Sequence, residues 1–292
     1  PSPSLSPEIR SKVVIMLLTT ANRDVQAPEG DQACIWPNPL FGTHSNDWQA
    51  FQRRLLAVCA ARGFLPEILG HTDHEPIYAL TRRARRKTAR SILVASGFHG
   101  EEPAGPWGLL HALETLDMTL LDAVHLSALP LVNVSGFSQG RRLNHKGENP
   151  NRGFLPLLDG ATASEEGAIL LRHQARLVRY GRDGALCCHE DTARQQAYIY
   201  ANERGDAPGP LALKLRNCNA GFFPLHPDGA IDGCLLADGI VFNHPDSSFE
   251  AWLFAHGATH TYCTETPGQC AFEDRLLANA AMVSTFIEHH IS

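Results

Sequence analysis

Three short strand-like segments of this chain are each followed within three residues by histidine or glutamate, and this pattern constrains the fold most. They are Ser91–Ser96, Gly184–Cys188 and Gly257–Thr264. Segments of helical periodicity lie between them, and strands that alternate with helices predict a sheet covered on both faces. In such sheets the residues that follow the carboxyl ends of the strands meet at one edge, where ligands bind. The polar residues after these three segments are therefore the first candidates for a functional site.

The fold class follows from the same alternation. We expect an α/β fold: a single-domain, mixed and mostly parallel twisted sheet with helices on both faces. The chain has 292 residues, 43% of them hydrophobic, which is enough to bury a large core without division. Because neither a Ser/Gly linker nor a break in composition separates two halves, we predict one domain over residues 1–292. Within it, residues 75–290 contain the functional motifs, and residues 1–74 form an N-terminal portion of unclear role.

Some individual elements can also be predicted. Apolar residues at helical spacing predict a helix that starts near Trp48 and ends at the glycine at position 63, and a second helix over Glu165–Tyr180. Strands are predicted at Pro76–Leu80 and Ser91–Ser96. The basic stretch between these two strands is predicted to be a solvated hairpin tip, with an anion-binding patch as the alternative.

Composition excludes several classes of function. The formal net charge is −6, from 25 basic and 31 acidic residues, so no basic field indicates nucleic-acid binding. The apolar runs, such as Val13–Leu18, are far shorter than the ~20 residues that span a bilayer, and Val13–Thr19 is predicted to be a strand. The eight cysteines form no Cys-x-x-Cys pair and are typical of buried thiols in a reducing compartment. We therefore expect a cytoplasmic location, although a removed leader stays open because the numbering starts at Pro1; the oligomeric state is not predicted.

His99 and Glu102 follow the first strand-like segment, three residues apart. A turn that enters a helix can direct a histidine nitrogen and a glutamate carboxylate to one point, as a catalytic zinc site requires. The alternative is a histidine in a turn beside a glutamate favoured by the helix dipole. His189 follows the second segment and would complete a set of two histidines and one glutamate, with a fourth position open to water. The alternative for His189 is a core histidine at a strand end.

Glu265 follows the third segment, just before a Pro-Gly turn. A carboxylate beside a metal-bound water can act as a general base and then as a proton donor. The alternative is an acidic residue that starts a turn.

A long polar loop over residues 136–154 supplies a fourth group. A polar loop of this length inside a compact domain is usually functional. Its Arg-Asn combinations suit a carboxylate, which a guanidinium fork and an amide donor can hold together. A further arginine there could stabilise an oxyanion near the metal. The alternative is a basic surface loop.

Taken in chain order, these groups resemble the zinc carboxypeptidases of the carboxypeptidase A type. The loop is the most specific part of the resemblance. Its spacing from Arg142 through Asn144 to Asn151-Arg152-x-Phe looks like that of bacterial members such as the murein peptide amidases. The resemblance covers roughly residues 75–290.

The resemblance implies roles for individual residues. His99, Glu102 and His189 would be the ligands of one zinc ion, with a second metal left open. Glu265 would activate the zinc-bound water, and Arg142 would polarise the scissile carbonyl and hold its developing oxyanion. The residues implied to bind the substrate are Asn144, Asn151, Arg152 and Glu250.

Three departures from the family pattern bear on this site. Asn149 stands where the family often has an aspartate that orients a zinc histidine, so a neutral amide would orient the ring instead. The family's mobile tyrosine, a proton donor, falls near Asn243, where His244 is the candidate substitute. Glu190-Asp191, directly after the third ligand, is unusual and could hold a second metal or contact the substrate.

Glu250 falls where the family has the base of its specificity pocket, with Asp246 nearby. An acidic floor would favour a basic terminal side chain, such as lysine, arginine or the free amino end of diaminopimelate. A solvated acid is the alternative.

The resemblance implies an enzyme, a zinc metallocarboxypeptidase or a related amidohydrolase. It would cleave the amide bond next to a free C-terminal carboxylate, with a preference for a basic terminal residue or a cell-wall peptide. The alternative on the same fold is an N-acyl amino-acid deacylase resembling aspartoacylase and succinylglutamate desuccinylase. A catalytically silent binding module is the alternative from another class, and the intact ligand set argues against it. The expected partner is thus a small peptide or acyl-amino-acid substrate, with neither nucleic acid nor membrane.

Overall fold

The computed structural model describes residues 45–291, and every structural statement below concerns this part of the chain. The strand predicted at Val13–Thr19 lies outside the described residues. Residues 45–291 form one compact unit of ten helices and ten strands. In chain order these are α1 (Trp48–Arg62), β1 (Leu65–Thr72), β2 (Glu75–Arg82), β3 (Ser91–Ser96), α2 (Ala104–Thr115), α3 (Met118–Ala123), β4 (His125–Leu129), α4 (Val134–Gln139), α5 (Pro156–Asp159), α6 (Glu165–Arg172), α7 (Gln174–Tyr180), β5 (Gly184–Asp191), β6 (Tyr198–Glu203), α8 (Pro210–Ala220), β7 (Gly229–Ile231), β8 (Cys234–Ala237), β9 (Ile240–Phe242), α9 (Phe249–Ala255), β10 (His260–Pro267) and α10 (Phe272–His289).

The ten strands form a single sheet in the order β1-β2-β4-β3-β5-β10-β6-β9-β8-β7. Its centre, β4-β3-β5-β10, is parallel, and so is the outer pair β6-β9. The other pairings, β1-β2, β2-β4, β10-β6, β9-β8 and β8-β7, are antiparallel. The predicted mixed α/β sheet is confirmed. The three strands that were expected to end in functional residues, β3, β5 and β10, are direct neighbours.

Helices cover both faces of this sheet. On one face, α6, α7 and α9 bury a cluster that includes Leu170, Leu177 and Trp252 against the odd-numbered positions of β3 and β5. On the other face lie α2, α8 and α10, where the Gly105 position of α2 packs directly against the backbone of Cys188. Because both faces of the central strands are covered, nearly all residues of these strands are buried, as in buried parallel strands generally.

Local sequence explains where α1 begins and ends. The Asp47 side chain accepts a hydrogen bond from Ala50 N at 2.9 Å, and Gly63 closes the helix in the left-handed region with φ of 69°. An aspartate at the start and a glycine after the end satisfy the unpaired backbone groups of a helix. The helix predicted near Trp48 is therefore confirmed, and the strand at Ser91–Ser96 has the predicted bounds.

Two element predictions are wrong. The stretch between β2 and β3 is not a hairpin tip, because β4 lies between these strands and pairs with both. The stretch instead passes the amino end of β4, where Ala84 N donates to His125 Nδ1 at 3.1 Å. The helix predicted over 165–180 divides at His173, whose Nε2 lies 2.9 Å from the Leu69 carbonyl oxygen of β1. No helix of residues 45–291 combines the length and apolarity that crossing a bilayer requires.

Candidate metal centre and active site

Two glycines shape the turn after β3 that contains His99 and Glu102. Gly97 has φ of +66°, and a Cβ at this position would lie 2.4 Å from a buried leucine methyl. A Cβ at Gly100 would lie 1.9 Å from the carbonyl carbon of Gly136, in the segment packed against the turn. Both positions therefore require glycine. The turn places His99 and Glu102 at the carboxyl end of β3, just before α2 begins.

His99, Glu102 and His189 converge on one point. Glu102 lies between the two rings, with Oε1 2.6 Å from His99 Nδ1 and Oε2 2.8 Å from His189 Nδ1. All three residues are buried, and one ligand atom of each lies within 4.8 Å of the others, the only such group in residues 45–291. Two imidazole nitrogens and a carboxylate are a donor set that binds a metal ion. Burial of the Glu102 carboxylate without a cation or a proton between these groups would be costly. The predicted convergence is confirmed, and the residues fit a metal ion.

Glu265 is placed beside this centre by the strand register. In the parallel pairing of β5 with β10, Glu265 lies directly opposite His189, so the two side chains share one face of the sheet. The Phe98 ring stacks on the His189 ring, with centroids 5.8 Å apart. Burial raises the pKa of the Glu265 carboxyl to about 8, with a further increase from Glu102 and an opposing effect from His189. A carboxyl group with a raised pKa next to a metal centre can exchange protons near neutral pH.

Two asparagines of the long loop contact the histidine rings on the side away from Glu102. Asn149 Oδ1 lies 3.1 Å from His99 Nε2, so it can hold a proton there and leave the Nδ1 lone pair for a cation. This contact is the one expected of a neutral amide that orients the ring. Asn151 Nδ2 lies 3.3 Å from His189 Nε2, and Asn151 Oδ1 accepts a hydrogen bond from Phe249 N at 2.9 Å.

Two arginines lie at different sides of the centre. Arg142 Nη1 is 3.4 Å from Glu102 Oε1 and 3.5 Å from Glu101 Oε1, and its side chain is 46% exposed. Arg152 Nη2 is 3.5 Å from Asp246 Oδ2, with its side chain 39% exposed. Both guanidinium groups are thus positioned by carboxylates and remain accessible to a ligand.

Both histidines of the metal centre, both arginines and Glu265 line one pocket of about 140 Å³. Three further carboxylates line it, from Asp232, Asp246 and Glu250. Glu250 lies in the first turn of α9, where its Oε2 is 3.4 Å from Asn151 Nδ2. The pocket thus combines a buried donor set, a neighbouring free carboxylate and two accessible cations, which are the elements of a hydrolytic site that binds an anionic group.

Comparison with known proteins gives the family. No family model and no curated protein matches the chain, but solved structures do. A protein from Shewanella amazonensis assigned as a metallopeptidase is 43% identical over 89% of this chain and 99% of its own length, with a TM-score of 0.83. A similarly assigned protein from Shewanella denitrificans is 44% identical over 84% of this chain and 91% of its own, with a TM-score of 0.79.

The chain belongs to this family of metallopeptidases. A metallo-carboxypeptidase from Burkholderia cenocepacia shares the fold at 16% identity, with a TM-score of 0.61 over 83% of this chain and 68% of that one. The predicted resemblance to the zinc carboxypeptidases is confirmed for the fold, and the metallopeptidase relatives confirm the prediction of a hydrolytic enzyme.

Within this metallopeptidase, Asn144 is not part of the pocket. Its Nδ2 donates to Glu148 Oε2 at 2.8 Å and to Glu166 Oε2 at 2.7 Å, and its Oδ1 accepts from two backbone amides of the same loop. All of these contacts lie inside the loop or on α6. The expectation that Asn144 binds substrate is therefore corrected: this buried amide holds the loop in shape, which the chain order of the motif could not distinguish from a substrate contact.

The structure also shows where the side chains of Asn243 and His244 lie, near the position expected for the family's tyrosine. Asn243 faces away from the pocket, since its Oδ1 accepts a hydrogen bond from Glu203 N at 2.9 Å, whereas His244 lines the pocket. Sequence reasoning missed Tyr200, which lines the pocket from β6. The alternation of Tyr198, Tyr200 and Asn202 on one face of a strand could have indicated it.

Glu190 and Asp191 do not extend the metal centre. Glu190 points to the opposite face of β5, where its carboxylate accepts a hydrogen bond from Ala104 N at 2.7 Å and pairs with Arg275. Asp191 accepts a hydrogen bond from the Tyr198 hydroxyl at 3.1 Å. Because the carboxylates of both residues are bound to other protein groups, the suggestion that they hold a second metal or contact the substrate is not supported by their placement.

Proposed function

We propose that this metallopeptidase is a zinc-dependent carboxypeptidase that cleaves the amide bond next to a free C-terminal carboxylate. The observation that carries the proposal is the pocket itself, in which Glu265 and two accessible arginines surround the three converging donors. An exopeptidase needs a cation that anchors the chain end at a fixed distance from the reacting groups. The partly exposed guanidinium of Arg152 would supply this cation.

Two histidines and one glutamate are the donor set of zinc peptidases, which supports zinc and a single ion. Zinc bound there would supply Lewis acidity and lower the pKa of water to about 7. The second ring nitrogen of His99 is held by Asn149, which keeps the ligand atom directed inward.

The chain's own residues would divide the remaining work. Glu265, next to His189 on the sheet, would take a proton from the attacking water and return it to the leaving amine. Arg142, already directed at Glu102, would stabilise the negative charge that develops on the carbonyl oxygen. Arg152 would hold the substrate carboxylate, helped by Asn151, whose amide nitrogen makes only long contacts of 3.3 and 3.4 Å.

We further propose that the pocket accepts a basic terminal residue, including that of a cell-wall peptide. The support is electrostatic, because Asp232, Asp246 and Glu250 all line the pocket. A cation among these carboxylates would be stabilised, whereas an acidic side chain would be repelled. A cytoplasmic location is part of the proposal too, supported by seven cysteines of the described part that are all free.

The test combines metal content with a set of substrates. We expect about one zinc ion per chain, hydrolysis of N-blocked dipeptides with a free carboxylate, and no hydrolysis of the same peptides with an amidated C-terminus. Glu265→Gln should keep the metal and lower kcat by about 10²- to 10⁴-fold, as loss of a general base does. The matched control is Glu273→Gln, on the exposed start of α10.

Two results would contradict the proposal. One is a protein without bound metal that still cleaves these peptides, and the other is an unchanged rate in Glu265→Gln. Faster hydrolysis of N-acyl amino acids than of any dipeptide would instead assign the deacylase activity.

A further inference from the structure

Glu190 is a buried carboxylate that the proposed mechanism does not use. It directly follows the metal ligand His189 in β5. Because successive residues of a strand point to opposite faces, its side chain lies on the face of the sheet away from the catalytic pocket. This side chain is fully buried, at 0% exposure. Burial of a carboxylate is costly unless charged or hydrogen-bonding partners compensate it, so the partners of Glu190 indicate what it does.

The first partner is the amino end of α2. Ala104 N, the first amide of this helix, donates a hydrogen bond to Glu190 Oε1 at 2.7 Å. The helix has no capping side chain of its own, because Pro103 precedes it and its first turn contains no acidic residue. The amino end of a helix attracts an anion and needs acceptors for its free amides. Glu190 therefore supplies from β5 the cap that α2 lacks.

The capped segment also contains the metal ligand Glu102, two residues before Ala104. The backbone N–H of Glu190 donates to Glu102 Oε2 at 3.2 Å, so one residue of β5 contacts both Glu102 and Ala104. A Cβ at Gly105 would lie 2.8 Å from a backbone oxygen of β5, so this segment packs closely against the strand. Glu190 thus links the turn that contains Glu102 to the strand end that contains His189.

The second partner is Arg275 of α10, whose Nη1 pairs with Glu190 Oε2. The Arg275 side chain is 12% exposed, and its Nε donates to the Cys270 carbonyl oxygen at 3.0 Å, in the turn that follows β10. A charge-assisted hydrogen bond of this kind fixes the orientation of the carboxylate towards α2. Because Glu265 lies near the end of β10, the pair connects the ends of the three strands that form the site.

We propose that Glu190 is a positioning residue that holds Glu102 at metal-binding distance from His189 by capping α2 from the neighbouring strand. Its carboxylate lies outside the catalytic pocket, so it acts through Glu102. The inference rests on the proposed function in taking zinc as the ion. Loss of the cap frees the Glu102 turn to move away from β5, and a ligand that is less well oriented binds the metal less tightly.

The test compares two ion pairs at opposite ends of α2. Glu190 pairs with Arg275 at the first turn, and Glu114 in the last turn pairs with Arg54 of α1, where the side chains are 17% and 11% exposed. Glu114→Gln is therefore the matched control for Glu190→Gln, and Glu190→Ala removes the cap completely. Competition with a chelator measures zinc affinity, steady-state rates at saturating zinc give kcat and KM, and denaturant unfolding of the zinc-loaded proteins measures stability.

We expect Glu190→Ala to weaken zinc affinity by about 10- to 100-fold. Glu190→Gln keeps an oxygen that can accept from Ala104 N, but its amide nitrogen cannot accept from Arg275. It should therefore lose less affinity than Glu190→Ala and more than Glu114→Gln. At saturating zinc, both Glu190 variants should keep the KM of the parent, because no substrate contact is removed. Glu114→Gln should lower stability and leave zinc affinity unchanged.

Equal zinc affinity in Glu190→Ala and the parent would overturn the inference. A loss in Glu190→Gln no greater than that in Glu114→Gln would overturn it too, and this comparison decides alone if Glu190→Ala does not fold. A parent that binds no metal would refute the proposed function and the inference together. A parent that binds zinc through a Glu190-dependent turn but hydrolyses no peptide would refute the proposed carboxypeptidase activity alone.

Discussion

Two histidine clusters occupy opposite ends of the central strands, and their chemistry differs. At the carboxyl ends, His99 and His189 flank the Glu102 carboxylate. At the amino ends, His260 of β10 and His290 after α10 face each other directly, with 2.9 Å between their Nε2 atoms and no carboxylate between them. The comparison shows that an intervening anion, rather than histidine itself, makes a cation site.

The pKa values of the two clusters reflect this difference. Burial by itself would lower the pKa of His189, but the carboxylates of Glu102, Glu265 and Glu250 together outweigh it and raise the value to about 9. For His260, burial and the neighbouring His290 and His289 together lower the pKa to about 3. Burial also lowers the pKa of His99, so His189 is the ring of the first cluster that attracts a positive charge, whereas His260 excludes one.

The largest effect is expected from a substitution that disrupts the histidine cluster at the carboxyl ends of the strands. His189→Ala should lose the bound metal and lower kcat/KM by about 10³-fold or more, because the Lewis acidity worth several kcal/mol is lost. The matched control, His260→Ala, should keep both metal and activity. Elemental analysis and steady-state rates are the measurements, and equal metal loss in both variants would show that the clusters do not differ in this way.

A smaller effect concerns how the rings are oriented. His99 is held by a side chain, Asn149, whereas the Nδ1 atom of His290 lies 2.7 Å from a backbone carbonyl, that of Phe286. Asn149→Ala should weaken zinc affinity by about 10- to 100-fold, as loss of such an orienting partner does. Asn149→Asp, which places a carboxylate next to His99 Nε2, should bind zinc at least as tightly as the parent. Competition with a chelator measures both, and unchanged affinity in Asn149→Ala would remove the orienting role.

The smallest effect concerns acid stability. Because the folded-state pKa of His260 is about 3 and the unfolded value is 6.5, the unfolded chain binds an extra proton between these pH values. Stability should therefore fall as the pH drops from 6.5 towards 3, and His260→Asn should lose less stability over this window, by about 1–2 kcal/mol after allowance for partial exposure. Denaturant unfolding at pH 7 and pH 4 gives the difference. Parallel losses in parent and variant would mean that His260 does not contribute.

The candidate site was largely predictable because its residues lie at or shortly after the carboxyl ends of strands. His99 and Glu102 follow β3 within six residues, and His189 and Glu265 lie in the last three residues of β5 and β10. Three neighbouring parallel strands in one sheet bring these ends together. The Asn144 prediction failed for a different reason. Its two carboxylate partners are recognisable only when α6 is folded against the loop. In the sequence, an asparagine that stabilises a loop and an asparagine that binds substrate look the same.

The sequence by itself determined the α/β architecture and the four residues at the strand ends, because strand periodicity and strand ends are local properties. Only the tertiary structure decided that β4 separates β2 from β3, and that Glu190 pairs with Arg275 rather than with a metal. These features depend on the direction of side chains and on contacts between residues far apart in the chain. A sequence pattern contains neither, because the sheet order and the faces of its strands are set by the packing of the whole core.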